Sequence, residues 1–495
     1  MRHETGSNKE QCHGDISPRV FKDQAHRAVD WIAEYLEDMD QYPVLARTRP
    51  GDIKAKIPKS PPAISEPLER IIDDFQEIIL PGITHWNHPR FFAYFSITSS
   101  YPGIIGEMLC SALNVNAMLW RTSPSATELE EVATDWLRQM LGLPEQFRGV
   151  INDSASVSSL CALVAAREYT GLNIREDGLA GGSMPQLRIY TSEEAHSSIE
   201  KAAIVIGIGQ RGVKKIPTDE SFRMDLQVLT RTIQEDIDNG VKPICAIPTI
   251  GTTSTTSVDP VKEISELCKR HGIWLHIDAA YGGSAATLQE MRPLFAGWEM
   301  ADSIVVNPHK WLFTPIDCSI LYCRRSDVLK QAFSLTPEYL RTAEADKVTN
   351  LMDYGVSLGR RFRALKLWMI IRAFGTEGIA NTIREHISYA KRLASMIQAT
   401  PNFELLAPVP FSTLVFRFSP KSPDNSDLNA LNEQLMERVN QTGQVFLSHT
   451  KLRGKFGIRL TIGNVKTTWE DVALAWHIIQ EKASELSDLN RGIPK

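Results

Sequence analysis

The chain has 495 residues and a mass of 55.4 kDa, more than one hydrophobic core usually accommodates, so two or three domains are expected. Charged residues make up 23% and hydrophobic ones 43%, and the net charge is −5 with a pI near 6.2, which removes the electrostatic case for nucleic acid or an anionic membrane and favours small-molecule chemistry. Seven cysteines without metal-ligand spacing predict reduced thiols in a cytoplasmic protein and no metal site, and neither a signal-peptide core nor an apolar run long enough to span a membrane occurs.

In chain order, residues 1–16 are polar and read as a disordered tail. Ser17 is a candidate N-cap before Pro18, and Phe21, Ala25, Ala28, Val29, Ile32 and Leu36 recur at helical spacing, which predicts an amphipathic helix whose apolar stripe needs another surface. Six prolines from Pro43 to Pro67 predict an extended connector. A second helix is expected around "PLERIIDDFQEIILPG", ended by Pro81 and Gly82. From about residue 100, β-rich runs ("QLRIYTS", "KPICAIPTI", "GIWLHIDAA", "SIVVN", "CSILYCR") alternate with helical patterns such as 260–271. That texture predicts an α/β fold with a mostly parallel central sheet and functional groups at strand ends. After about residue 385, helix with the strands "STLVFRFS" and "KFGIRLTIG" predicts a small α+β domain. The expected divisions are a tail at 1–16, a helical N-terminal arm at 17–100, a large domain at 101–385 and a small domain at 386–495.

The stretch "SIVVNPHKWLFTP" places Lys310 directly after a run that reads as a buried strand, where an ammonium is costly unless paired or neutral. Asp278 ends the preceding apolar strand, 32 positions earlier, and is followed by "AAYGG", small residues that would let a flat object approach the backbone. Alone, such an aspartate is as often a cap, and a mutual Lys–Asp pair would be an ordinary buried salt bridge. A parallel sheet, however, brings the two ends to one cleft. An amine facing a carboxylate there suits pyridoxal 5′-phosphate (PLP), whose aldehyde takes a Schiff base and whose ring nitrogen wants a carboxylate. Ser154, Ala155 and Ser156, at the start of a helical pattern, offer amides and hydroxyls to a phosphate, and His196 follows a strand where an imidazole could cover the ring. Taken singly, these read as a helix cap and a surface histidine.

With those pieces come "THWNHPRFFAYF", "SPSATELE", "DSAS", "AHSSIEKA", "GTTSTTSVDP", "HIDAAYGGSA", "NPHKWL", "PEYL" and "SLGRRFRALKLW". In these motifs, their order and their spacing, the chain from about residue 17 onward resembles the group II PLP-dependent amino-acid decarboxylases, most closely the aromatic-L-amino-acid decarboxylase branch. The resemblance implies PLP-dependent fold type I, the aspartate aminotransferase-like architecture, working as an obligate homodimer. It implies that Lys310 is the Schiff-base lysine, that Asp278 partners the pyridine nitrogen, that Ala280 lies under the ring and His196 over it, and that Ser154, Ala155, Ser156 and Asn307 hold the phosphate. Thr253 would lie near the cofactor on the Asp278 side, and His309 would contact both cofactor and substrate. Tyr339, within "SLTPEYLRTAEADKVTNLMDY", a polar stretch that reads as a mobile lid, would return a proton to the α-carbon. Members that make the amine carry Tyr there, whereas those that make the aldehyde typically carry Phe.

The implied substrate pocket draws on Trp86, Tyr94 and Phe95, an aromatic set suited to a planar side chain, in an arm that packs across the dimer. Ser96 and Ile97 replace the Pro-Thr of animal members, and Met118 stands where Phe often lines the pocket, which removes a polar contact and adds pliability. Gly359 would leave space for a tryptophan-like substrate. No arginine is evident in position for a distal carboxylate. The expected reaction is decarboxylation of tryptophan, tyrosine, phenylalanine or dopa to the amine. The alternatives are an aromatic aldehyde synthase, a decarboxylase for histidine or an acidic amino acid, and a PLP-binding protein without turnover.

Overall fold

A computed structural model describes residues 15–180, 184–335, 347–420 and 427–490. The first helix, Pro18–Glu37, starts where the sequence indicates: the Ser17 hydroxyl accepts a hydrogen bond from the Val20 amide at 3.3 Å. Its stripe is only partly covered, and Phe21 stays 63% exposed. The second helix is shorter than its pattern, running Leu68–Asp74 before one π-helical turn at Phe75–Ile79 and a 3₁₀ turn at Leu80–Gly82.

Seven strands make the central sheet: β1 (Arg148–Asn152), β2 (Leu187–Ser192), β3 (Val213–Ile216), β4 (Lys242–Ile247), β5 (Trp274–Asp278), β6 (Ser303–Val306) and β7 (Ser319–Cys323). Their order is β1-β7-β6-β5-β4-β2-β3. The pairings β2–β3, β2–β4, β4–β5 and β5–β6 are parallel, whereas β7 runs antiparallel to both β6 and β1. Six strands therefore end at one edge of the sheet, and β7 begins there. Strands β4 to β7 are almost wholly buried, which explains their continuous apolar runs in place of alternation.

A second sheet, ordered β10-β11-β9-β8, comprises β8 (Phe403–Leu405), β9 (Thr413–Phe418), β10 (Ser448–Leu452) and β11 (Lys455–Thr461) and is antiparallel throughout. The helices Leu428–Gln441 and Trp469–Asn490 pack on it around Phe92, Leu435, Ile458 and Trp476. The helix Ala364–Ala399, interrupted at Gly375 (φ 67°), contributes Leu367 and Ile371 to the core of the large sheet and Leu393 and Ile397 to that of the small one. The expected division at 385–386 falls inside this helix.

One buried ion pair braces the start of the sheet. Glu130 accepts from the Ile151 amide at 2.8 Å and from Arg360 Nη2 at 2.6 Å, and the same guanidinium nitrogen donates to the Ile151 carbonyl at 3.0 Å. Both side chains are buried, so the pair fixes β1 three residues before Ser154.

Candidate active site

The edge where six strands end is lined by Phe95, Ser154, Ala155, Ser156, His196, Thr249, Gly251, Thr253, Asp278, Ala280, Tyr281, Asn307, His309 and Lys310. Every expected cofactor contact thus reaches one cavity. Asp278 closes β5: its amide donates to the Pro248 carbonyl at 3.0 Å, its carbonyl accepts from Ile250 at 2.8 Å, and its Oδ1 accepts from the Ala280 amide at 3.1 Å. The carboxylate is buried and keeps its remaining acceptor capacity for something else.

Lys310 sits on the one-turn helix Pro308–Trp311 that follows β6, with its amide donating to Asn307 at 3.0 Å. Its Nζ lies 5.1 Å from the centre of the Phe95 ring. Burial holds the amine below its ordinary pKa, with Asp278 opposing that shift and Arg459 adding to it, so Lys310 is biased toward a neutral nucleophile. Beneath it an aromatic stack stiffens the floor: Phe95 lies on Tyr281 at 3.9 Å and Tyr281 on Trp311 at 4.8 Å, and Trp311 Nε1 donates to His386 Nδ1 at 3.0 Å.

Ser154 caps the 14-residue helix Ala155–Glu168, its hydroxyl accepting from the Val157 amide at 3.4 Å, and the first turn of that helix faces the cavity. Two cavity-lining oxygens, Asn307 Oδ1 and Thr249 Oγ1, are buried without a partner among the described residues. Orphaned polar atoms of this kind are rare unless a ligand completes them. An anion at the helix start, a carbonyl at the amine and a ring nitrogen at the carboxylate are what these groups could take together, and PLP carries all three.

The small residues after Asp278 divide their labour differently from expectation. Ala280 lines the cavity, but a Cβ on Gly282 would stand 2.5 Å from the Ile250 carbonyl oxygen, and one on Gly283 2.9 Å from Val306. These two glycines admit neighbouring protein and not a ligand.

A contiguous pocket extends outward past Trp86, Tyr94, Phe95, Ile97, Ser448, His449 and Arg459, still bordered by His196, Thr253, His309 and Lys310. Met118 and Gly359 do not line it. Met118 packs with Leu119 and Met352, and its sulfur accepts from Asn116 Nδ2, the same nitrogen that lies 4.0 Å from where a Gly359 Cβ would stand. The pair shares one place in the fold, apart from Lys310 in this chain. Tyr339 lies outside the described residues.

Arg459 is a pocket residue that the sequence reading did not single out. It is buried on β11, donates from Nε to the Thr253 carbonyl at 3.0 Å and from Nη1 to the Tyr94 carbonyl at 2.5 Å, and leaves Nη2 without a partner. Burial lowers its pKa to about 10, and no carboxylate among the described residues pairs with it. The signal was present in "KFGIRLTIG": a charged residue inside an otherwise apolar strand needs a reason to be there.

Comparison with known proteins identifies the family. Residues 50–419 match the family model described as the pyridoxal-dependent decarboxylase conserved domain. A phenylacetaldehyde synthase of a Rosa hybrid cultivar is 37% identical over 488 residues, covering 95% of each chain, and tyrosine decarboxylase 3 of Petroselinum crispum is 38% identical, covering 96% of this chain and 93% of its own. A crystal structure of Oryza sativa TDC with PLP and tryptamine superposes with a TM-score of 0.92 at 35% identity, over 96% of this chain and all of that one. The match over most of the chain, together with an amine, a carboxylate and a helix start at one sheet edge, makes this chain a member of the pyridoxal-dependent decarboxylase family, a fold type I enzyme that uses PLP.

Proposed function

We propose that the protein decarboxylates an aromatic L-amino acid of the tryptophan, tyrosine, phenylalanine or dopa class to the corresponding amine and carbon dioxide. The observation that carries this reading is that Lys310 and Asp278 face one cleft whose outer wall is Trp86, Tyr94 and Phe95. Relatives named for tyrosine decarboxylation and a neighbouring structure holding tryptamine support the same class.

Lys310 would hold PLP covalently through Nζ, Asp278 its ring nitrogen, and Ser154, Ala155, Ser156 and the side-chain N–H of Asn307 its phosphate, while Ala280 and His196 would cover its two faces and Thr253 its rim. When bound, PLP supplies an electron-withdrawing ring that accepts the electron pair left as carbon dioxide departs. The chain does the rest. Arg459 offers its free N–H to a carboxylate entering the pocket, the aromatic wall and Ile97 bind the side chain, and Tyr339 donates the proton taken up by the α-carbon.

A second reading, an aromatic aldehyde synthase, is favoured by the phenylacetaldehyde synthase among the relatives. That reaction consumes dioxygen and water and releases aldehyde, carbon dioxide, ammonia and hydrogen peroxide. The two are separated by incubating the PLP-loaded enzyme with tryptophan, tyrosine, phenylalanine, dopa, histidine and glutamate, and measuring amine, aldehyde, ammonia and peroxide. Amine without peroxide from aromatic acids supports the first reading, and stoichiometric peroxide with aldehyde supports the second. Turnover of glutamate or histidine alone contradicts both. Tyr339→Phe is expected to move the product from amine toward aldehyde.

We also propose a cytoplasmic homodimer. Ile105, Met108, Leu109 and Leu113 leave an apolar face open on the helix Tyr101–Leu113, and a second copy laid there would cover it and could bring its Met118 and Gly359 to the pocket. The six described cysteines are all free thiols, as in a reducing compartment. Light scattering that returns a mass of one chain at micromolar concentration would refute the dimer.

A further inference from the structure

His309 is held by one residue at two points. Its amide donates to the Cys318 carbonyl at 3.2 Å, and the Cys318 amide donates to its ring Nδ1 at 2.9 Å. A backbone N–H can only donate, so Nδ1 must be the unprotonated nitrogen, and a neutral ring then carries its hydrogen on Nε2. Nε2 makes no hydrogen bond among the described residues, and His309 borders both the cofactor cavity and the outer pocket. Resting on the reading above, we propose that His309 serves the reaction as a fixed hydrogen-bond donor through Nε2–H to a carboxylate oxygen of the amino acid, and that it neither gives nor takes a proton.

The surroundings hold the ring in that state. The side chain is buried, Lys310 and Lys366 bear on it as positive groups, and Asp317 opposes them, with the balance keeping its pKa down at about 3. Protonating Nδ1 would set two N–H groups against each other across 2.9 Å, which adds a geometric barrier to the electrostatic one. His196 differs in its partners. Its Nδ1 likewise accepts from the Ser198 amide, at 3.2 Å, but also meets the Ser198 hydroxyl at 2.9 Å, and its ring is the one that would cover a face of PLP. The two imidazoles that border Lys310 are therefore not interchangeable, and the buried one is the positional group.

The test is made on the PLP-loaded enzyme labelled with ¹⁵N-histidine. Long-range ¹H–¹⁵N spectra separate the two neutral tautomers and the cation, and the His309 signal is identified by its loss in His309→Asn. The expected result is a neutral ring protonated on Nε2 and unchanged between about pH 6 and 8. An Nδ1–H tautomer, or a cation anywhere in that range, overturns the proposal. Kinetics give the second readout. His309→Asn keeps an acceptor for Cys318 but removes the donor, and is expected to lower kcat/KM by about 10- to 100-fold. His309→Gln restores an N–H near Nε2, and is expected to recover a substantial part of that loss with the pH profile unmoved. Equal losses in both variants, with the acid limb of the profile abolished, would make His309 a proton carrier and sink the idea. The spectra decide the state of the ring whichever amino acid the enzyme prefers, so a wrong substrate class and a wrong tautomer give different results.

Discussion

Arg459 Nε donates to the Thr253 carbonyl at 3.0 Å, joining β11 of the small sheet to the loop that follows β4 of the large one. The same side chain therefore ties two sheets together, borders the pocket they share, and leaves its buried Nη2 without a partner among the described residues. Arg459→Lys preserves charge but not the planar fork, so it cannot reach both carbonyls and the pocket at once. KM is expected to rise about 10- to 100-fold, the worth of one charge-assisted hydrogen bond, with kcat falling less. Steady-state kinetics of the variant check this, and an unchanged KM would place the carboxylate elsewhere.

Asp278→Asn keeps the size of the side chain and the acceptor for Ala280, but withdraws the negative charge from the cleft. The variant is expected to retain PLP while kcat falls by about 100- to 1,000-fold, the scale of removing one preorganised charge from a dry site. Absorbance titration with PLP separates loss of cofactor from loss of chemistry.

Lys310→Ala removes the amine that would bond PLP. Borohydride treatment and peptide mass analysis are expected to find a pyridoxyl group on Lys310 in the wild type and on no residue of the variant, with turnover reduced on the order of 1,000-fold or more. A pyridoxyl group on another lysine in the wild type would overturn the assignment.

Glu130→Gln leaves the Arg360 guanidinium buried beside an uncharged partner, and is expected to cost about 3–5 kcal/mol, as breaking a buried pair from one side generally does. Because Glu130 also takes the Ile151 amide, part of that loss should appear as weaker PLP binding through the loosened start of the Ser154 helix. Denaturant unfolding, followed by PLP titration under native conditions, measures the two effects.

Stability is expected to decline on acidification from about pH 7 to about pH 5. Burial pulls His276 and His386 down to about 4 and His309 to about 3, all below the ordinary histidine value of 6.5. Below 6.5 the unfolded chain takes up protons that the folded one refuses, so each ring removes about 1.4 kcal/mol per pH unit until its folded pKa is reached. Asp259, pushed up to about 7 by burial, works in the opposite sense over the same interval and offsets one of the three. Thermal unfolding across that range checks the sign, and a Tm that rises toward pH 5 would contradict it.

The cofactor cavity was largely legible from the sequence, because strand ends in an open sheet concentrate function and each expected contact ends or follows a strand. Lys310, Asp278 and Asn307 could be read from apolar runs that stop at a polar residue. Met118 and Gly359 could not be placed that way, since their positions depend on loops whose course no periodicity reports. Arg459 was missed because a strand in the second half of the chain carries no mark of which sheet face, or which distant loop, it will meet. The reversal of β7 was hidden for a related reason: "CSILYC" is buried on both faces and reads alike in either direction.

That reversal also sets where one polar group at the sheet edge comes from. β7 is the one strand of the seven that begins at this edge, and the residue just before it turns its amide to His309 Nδ1. The donor that disciplines His309 therefore comes from the main chain at residue 318, which any residue except proline would supply. Side-chain drift at position 318 can alter packing or thiol chemistry while the ring keeps its orientation. The cleft thus holds one of its settings in a form largely beyond the reach of point mutation.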